Sequence, residues 1–162
     1  MGQIIRVLSV DDHPILREGI AALIQREQDM ELIAEVTSGQ EAVTAYVQHR
    51  PDVTLMDLQM NGMNGMDAIH AIRAIDNSAR IVVLTTFCTA AKAAQAFQEG
   101  ASAFMSKESL RFELATTVRT VHAGHRWMPP DLAADILCQM HRDNLSAPSL
   151  AHSLKHFHPA GS

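Results

Sequence analysis

Aromatic residues, cysteines and long apolar runs are all scarce in this chain. Aromatics make up 4% of its 162 residues, with one Trp and one Tyr, so its core must be aliphatic. The two cysteines, Cys88 and Cys138, are too few and too far apart for a disulfide framework or a zinc site. No apolar run approaches the length of a membrane span, and Asp11-Asp12 come too early for a signal peptide. These absences predict a reduced, cytoplasmic protein that does not enter the membrane.

Positive charge is limited as well. The chain carries 13 Lys and Arg against 18 Asp and Glu, for a formal net charge of -5. This balance argues against direct binding to DNA, which needs a basic patch. A hydrophobic content of 47% and a charged content of 19% are typical of a globular protein rather than a disordered one.

Short apolar segments rich in β-branched residues alternate with amphipathic segments of helix length. The predicted strands are 4–10, 30–36, 52–56, 80–85 and 102–105. The predicted helices are 15–26, 40–49, 66–75, 89–98 and 109–121. Strands that are apolar almost throughout and alternate with helices indicate a parallel sheet covered on both faces. The pattern therefore predicts an α/β protein of the (βα)5 type, with a five-stranded sheet in a three-layer α/β/α arrangement.

The texture of the chain changes after this repeated unit. We place the first domain at residues 1–124. A Pro-Pro pair then breaks the chain, and one more amphipathic segment follows, so residues 125–142 are predicted to be a linker with a short helix. Residues 143–162 are polar with little periodicity, and we interpret them as a flexible tail.

Polar residues stand at the carboxyl ends of the predicted strands. They are Asp11-Asp12, Asp57, Thr85 and Lys107. Open parallel sheets bind ligands at this edge. Crowded carboxylates need a cation or a proton, and hard oxygen ligands suit Mg²⁺. One carboxylate can then act as a nucleophile towards phosphorus, while a lysine and a hydroxyl bind the phosphoryl oxygens. The alternative, that such acids only begin loops or cap helices, is the better interpretation for any single acid but not for the whole set.

The stretch MDLQMNGMNGMD, residues 56–67, offers a different metal site. Its four methionines, Met56, Met60, Met63 and Met66, have thioether sulfurs of the kind that binds copper. Met56 falls on a predicted strand and Met66 on a predicted helix, both on core positions. That scatter is unfavourable for a soft-metal cage and favours the Asp57 carboxylate as the functional group.

Five segments together resemble one known family. They are VLSVDDHPILREGIAALI, RPDVTLMDLQMNGMNGMDAI, RIVVLTTF, EGASAFMSKES and VHAGHRWMPPDLA, which cover about residues 1–135. In order and spacing they resemble the receiver domain of two-component response regulators, in the NarL/FixJ group that precedes LuxR-type DNA-binding domains. The resemblance implies a CheY-like, doubly wound sheet.

The resemblance also implies a role for each site residue. The implied residues are Asp57 as the phosphoacceptor, Lys107 and Thr85 as phosphate-binding groups, Thr85 and Phe104 as the switch, and Asp11, Asp12, Asp57 and the backbone carbonyl of Gln59 as Mg²⁺ ligands. His13 is expected to shape the pocket without catalysis. Asn61 stands where the family usually has Pro, which is expected to loosen the loop after the phosphoacceptor.

The implied function is signal transduction by phosphorelay. A sensor histidine kinase would supply the phosphoryl group, and the surface of the fourth helix, fifth strand and fifth helix would then change for homodimerisation or for an output protein. Such a chain is no dedicated enzyme, although it can catalyse its own dephosphorylation. The alternative is a LuxR-type transcriptional regulator whose helix-turn-helix is missing here, because only about twenty residues follow the linker helix. A Mg²⁺-dependent phosphatase ranks last, because Gln59 stands where such an enzyme needs a second acid.

Overall fold

The structure is a computed structural model that describes residues 2–60 and 64–142, without side chains for 139–142. The strands in these residues are β1 (Ile5–Val10), β2 (Met30–Val36), β3 (Val53–Asp57), β4 (Ile81–Thr85) and β5 (Ala103–Ser106). The helices are α1 (Pro14–Gln25), α2 (Gly39–His49), α3 (Gly65–Ile75), α4 (Ala90–Glu99), α5 (Leu110–His122) and α6 (Pro130–Arg142), with a 3₁₀ turn at Lys107–Ser109. Asn61, Met63 and the expected tail 143–162 lie outside the described residues.

All strand pairs in the sheet are parallel, and their order is β2-β1-β3-β4-β5. The direction of winding reverses between β1 and β3, which makes the sheet doubly wound. Side chains of α2, α3 and α4 pack in a core on one face of the sheet, and those of α1 and α5 pack in a core on the other. The predicted three-layer α/β/α architecture with five strands is confirmed.

The strands differ in burial according to their place in the sheet. Every residue of β3 and β4 is buried, as expected for inner strands with helices on both faces. The edge strand β2 is less buried, and Glu31 and Glu35 along it are exposed. Among the described helices, none is long and apolar enough to cross a membrane.

Polar side chains cap the N-termini of α3 and α4, the helices that follow β3 and β4. Asn64 accepts a hydrogen bond from the backbone N–H of Asp67 (2.9 Å) at the start of α3. Thr89 accepts one from the N–H of Lys92 (3.2 Å) at the start of α4. Such caps satisfy backbone donors that the first helical turn leaves open. They fix where the chain re-enters the helical layer after β3 and β4.

Ile15 does not lie where helical periodicity predicts it. The helical periodicity groups Ile15 with Ile20 and Ile24 on one apolar stripe. In the structure Ile20 and Ile24 are 0% and 1% exposed, whereas Ile15 is 85% exposed. At about 100° per residue, Ile15 lies on the side of α1 opposite to Ile24, whereas Leu16 of the same turn packs against the core.

The carboxylate of Asp76 is a pH-sensitive link between two helices. Asp76 directly follows α3, and Tyr46, which donates a hydrogen bond to it, belongs to α2. One carboxylate oxygen accepts hydrogen bonds from the N–H (3.0 Å) and hydroxyl (2.6 Å) of Ser78, and the other from the hydroxyl of Tyr46 (2.7 Å). The bonds from Ser78 and Tyr46 lower the pKa of Asp76 from 3.8 to about 2. Because the folded pKa is the lower one, this stabilisation is present above about pH 4 and disappears as the pH falls towards 2.

Asp76→Asn is therefore expected to destabilise the fold at neutral pH and to reduce its acid sensitivity. With allowance for partial exposure, the loss in unfolding free energy at pH 7 is about 1–2 kcal/mol. Urea unfolding from pH 7 down to pH 2 measures both effects. Glu18→Gln, on the exposed side of α1, is the matched control. The same steepness of acid destabilisation in Asp76→Asn and in the wild type would contradict the prediction.

Candidate functional site

Four of the residues singled out in the sequence stand at the carboxyl edge of the sheet. Asp11 follows β1 directly, Asp57 is the last residue of β3, and Thr85 is the last residue of β4. Lys107 comes directly after β5 and opens the 3₁₀ turn. This edge includes the point between β1 and β3 where the direction of winding reverses. Open α/β sheets form their binding crevice at such a point.

An acidic cluster lies at this reversal. Single ligand atoms of Asp11, Asp12, His13 and Asp57 all lie within 4.8 Å of one another. Asp11 and Asp57 are both 0% exposed. Burial raises the pKa of the Asp11 carboxyl and the charge of Asp57 raises it further, against a lowering hydrogen bond from the His13 backbone. The cluster therefore favours a bound cation or proton.

The His13 ring lies against all three acids of this cluster. Its Nδ1 lies 3.0 Å from Asp11 Oδ1, 3.2 Å from Asp12 Oδ1 and 3.2 Å from Asp57 Oδ2. Its backbone N–H also donates to Asp11 Oδ1 (2.7 Å). The side-chain bond to Asp11 raises the pKa of His13, which favours the imidazolium. The position of His13 directly after two acids in the sequence is a signal for this close contact, beyond the expected role of shaping the pocket.

Lys107 pairs directly with Asp57. Its Nζ lies 2.9 Å from Asp57 Oδ1, and its side chain is 13% exposed. The backbone N–H of Gln59 donates to the same oxygen at 2.8 Å. Two donors therefore stabilise negative charge on Asp57 from the side opposite to His13, which contacts Oδ2.

The Gln59 side chain forms a bridge that the sequence did not indicate. Its Oε1 accepts hydrogen bonds from the backbone N–H of Thr86 (3.1 Å) and from the Thr86 hydroxyl (2.7 Å). The segment after β3 is thus tied to the segment after β4. The neighbouring Thr85 is fully buried, and its hydroxyl donates weakly to the Phe87 carbonyl at 3.4 Å.

Phe104 lies in the core rather than at the surface. It pairs with Val83 of β4, is 0% exposed, and belongs to the same apolar cluster as Met128 and Leu132. Met56 also lies in this cluster and is 0% exposed. A buried thioether of this kind packs as core, which removes Met56 from any copper cage.

The donor set of the acidic cluster fits a hard divalent cation. Carboxylate oxygens of Asp11, Asp12 and Asp57 converge, and Mg²⁺ prefers oxygen ligands. Asp11 Oδ2 is buried and accepts no hydrogen bond from the described residues. A buried carboxylate oxygen without a donor is costly, and a cation would relieve that cost. The fold and the residues at the carboxyl edge of its sheet together define a class: a doubly wound α/β protein with an acidic cation pocket where the winding reverses between β1 and β3.

Comparison with known proteins identifies the family. The model of the response regulator receiver domain matches residues 7–119, and the chain belongs to this family. It is a receiver domain of two-component response regulators of the LuxR type, as the motifs predicted. Receiver domains of this kind bind Mg²⁺ at an acidic pocket and are phosphorylated by sensor histidine kinases. Response regulators of this type are generally transcription factors rather than dedicated enzymes.

Two curated relatives come from Bacillus subtilis (strain 168). The transcriptional regulatory protein LnrK is 35% identical over 139 residues, which are 86% of this chain and 63% of LnrK. The transcriptional regulatory protein LiaR is 34% identical over 143 residues, which are 88% of this chain and 68% of LiaR. The chain thus spans about two thirds of the length of these relatives.

Solved structures with the same fold include other response regulators. A two-component response regulator of the LuxR family from Aurantimonas sp. SI85-9A1 has a TM-score of 0.81 and 37% identity, over 86% of this chain and 99% of that one. A signal receiver domain from Mycobacterium tuberculosis has a TM-score of 0.73 and 31% identity, over 76% of this chain and 100% of that one. The CheY-like fold implied by the motifs is confirmed.

Proposed function

We propose that this receiver takes up a phosphoryl group on Asp57 from the phosphohistidine of a sensor kinase. The single observation that carries the assignment is the setting of the Asp57 carboxylate. It is fully buried at the edge of the sheet, 2.9 Å from Lys107 Nζ on one side and within 3.2 Å of His13 Nδ1 on the other. A carboxylate held between a lysine ammonium and a histidine ring nitrogen, beside two further acids, is suited to nucleophilic attack on phosphorus.

The transfer exchanges one phosphorus bond for another. A carboxylate oxygen of Asp57 forms the new O–P bond while the P–N bond to the kinase histidine breaks, and its electron pair returns to the imidazole nitrogen. Lys107 stabilises charge on the transferred group, since it already pairs with Asp57 Oδ1. The Thr85 hydroxyl has only a weak bond of 3.4 Å to give up before it donates to a phosphoryl oxygen.

We assign the metal site to Asp11, Asp12, Asp57 and the backbone carbonyl of Gln59. Bound there, Mg²⁺ would offset the charge of the acids and orient the phosphoryl oxygens. The buried Asp11 Oδ2, which accepts no hydrogen bond from the described residues, supports the assignment. His13 approaches all three acids and would have to give way at least in part to such an ion.

The conformational response runs through Thr85 and Phe104. Phosphorylation adds close to two negative charges, and new bonds to Thr85 and Lys107 favour a shifted arrangement of the loop after β4. Phe104, paired with Val83 two residues before Thr85, is the core side chain placed to respond. The changed surface of α4, β5 and α5 would then serve homodimerisation or an output protein.

The domain bounds, the cellular location and the downstream function of the chain are part of the same proposal. We propose residues 1–124 as the receiver, 125–142 as a linker and 143–162 as a tail, in a cytoplasmic protein. The alternative output is regulation of transcription, which the names of LnrK and LiaR favour. With a net charge of -5, the chain itself is expected not to bind DNA. An intact helix-turn-helix reading frame in the coding sequence after residue 162 would favour the transcriptional output.

Intact mass measurement tests the phosphoacceptor. After incubation with Mg²⁺ and a small phosphodonor such as acetyl phosphate, the chain is expected to gain one phosphoryl group. Asp57→Ala is expected to gain none, because the nucleophile is gone. Chelation of Mg²⁺ is expected to suppress the gain. A phosphoryl group that persists in Asp57→Ala would refute the assignment.

A further inference from the structure

The segment between α5 and α6 covers the outer edge of β5. The N–H of Trp127 donates to the Ser102 carbonyl at 3.1 Å, and the N–H of Phe104 donates to the Trp127 carbonyl at 3.1 Å. The two bonds form a parallel bridge between Ala103 and Trp127. The segment is thereby attached to the backbone of Phe104 itself.

Side chains on either side of this bridge are buried in different cores. Trp127, 5% exposed, packs in the core under α1 and α5. Met128, 2% exposed, packs in the core under α3 and α4. Side chains that alternate between the two faces of a sheet are characteristic of a strand. The start of the α6 segment is therefore anchored firmly to β5.

The helix α6 itself packs on α4. Leu132 and Ile136 of α6 are 6% and 1% exposed. They share one apolar cluster with Ala96 of α4, with Phe104 and with Met128. Small side chains on α4 let the two helices approach closely, and close-packed surfaces tolerate little relative displacement. The docked position of α6 thus depends on where α4 lies relative to β5.

The loop after β4 connects the site to the start of α4. Four residues, 86–89, join Thr85 at the end of β4 to the first residue of α4. The bonds from Thr86 to Gln59 hold this connection in place while Asp57 carries no phosphoryl group. A movement of Thr85 towards a phosphoryl oxygen would pull the connection and shift the start of α4, whereas the bonds of Trp127 to β5 do not involve this connection.

We propose that α6 is a clamp, docked across α4 and β5, that favours the unphosphorylated arrangement and loosens when Asp57 is phosphorylated. This inference rests on the proposed function, since it takes Thr85 as the group that moves. Coupling of this kind is reciprocal. Loosening α6 must therefore make the acceptor state at Asp57 easier to reach by the same factor.

The experiment uses the full chain and beryllofluoride with Mg²⁺ as the phosphoryl analogue. Hydrogen exchange of the α6 amides is expected to accelerate when the analogue binds the wild type. In Leu132→Ala/Ile136→Ala, isothermal titration is expected to show an affinity for the analogue raised about 5-fold or more, the lower range of allosteric couplings. Leu137→Ala, at a position of α6 that is 51% exposed, is the matched control and is expected to bind as the wild type does.

Each outcome has a definite meaning. Analogue binding with unchanged or slower exchange in α6, or equal affinity in the double variant and Leu137→Ala, overturns the clamp and leaves the proposed function standing. No analogue binding and no phosphoryl uptake by the wild type overturns both. Emission from Trp127, the one Trp of the chain, together with exchange protection in β1 and β3, verifies that the double variant is folded.

Discussion

Lys107→Ala is expected to slow phosphoryl uptake on Asp57 by about 100-fold or more, the usual effect of removing one preorganised electrostatic donor from a reacting centre. Lys107 is largely buried, at 13% exposure, and its Nζ lies 2.9 Å from the Asp57 carboxylate. Without this charge, the negative charge of the transferred group is stabilised less, and water is a poor substitute at a buried site. The rate of mass gain from a small phosphodonor measures the effect.

Lys92→Ala is the matched control for this measurement. Lys92 stands on α4, where its Nζ lies 5.9 Å from the centre of the Phe87 ring. Its loss removes the same charge from the chain but no contact with Asp57, so uptake is expected to stay close to that of the wild type. Equal rates in the two variants would show that Lys107 acts only through net charge.

Gly65→Ala and Gly19→Ala are expected to change stability in opposite directions. A Cβ at Gly65 would lie 2.7 Å from the carbonyl oxygen of Asp57 and 2.9 Å from Leu58 Cα, which are backbone atoms with little freedom to move. Overpacking of this kind costs about 1–3 kcal/mol. A Cβ at Gly19, inside α1, meets nothing within 4 Å. There alanine is expected to stabilise by about 0.5–1 kcal/mol, because glycine is the poorer helix former.

Urea unfolding followed by Trp127 emission measures both changes. The comparison is internally controlled, since the same substitution is made in two helices of one chain. Gly65→Ala is also expected to displace the backbone of Asp57 and so to reduce phosphoryl uptake, while Gly19→Ala leaves uptake unchanged. Stability of Gly65→Ala at or above that of the wild type would mean that α3 can retreat from β3 at no cost.

The strands and helices follow from apolar periodicity to within a residue or so at most ends. The end of β3 is informative. Apolar residues end at Met56, so the sequence predicts a strand over 52–56, whereas the strand runs over Val53–Asp57. Asp57 continues the ladder beside Leu84 although its side chain is charged. A hydrophobic pattern leaves a buried carboxylate such as Asp57 outside its strand and marks it only by its position after the last apolar residue.

Contacts between distant segments could not be predicted in this way. The Gln59 side chain meets Thr86 because two loops after different strands come together, and no local pattern encodes that distance. Likewise, a Pro-Pro break followed by one more amphipathic segment predicts a linker with a helix. This pattern does not show whether that helix packs against the preceding domain. That Trp127 bonds to β5 and Ile136 enters the core depends on tertiary packing.

The edge strand β2 has a consequence for contacts between molecules. The Trp127 segment covers the outer side of β5, so β2 presents the open backbone edge of the described sheet. An open edge is a template on which strands of other copies can assemble and aggregate. Glu31 and Glu35 are exposed along β2, and in an edge-to-edge stack of two copies these like charges would repel. The two glutamates thus disfavour edge-to-edge assembly of copies through β2.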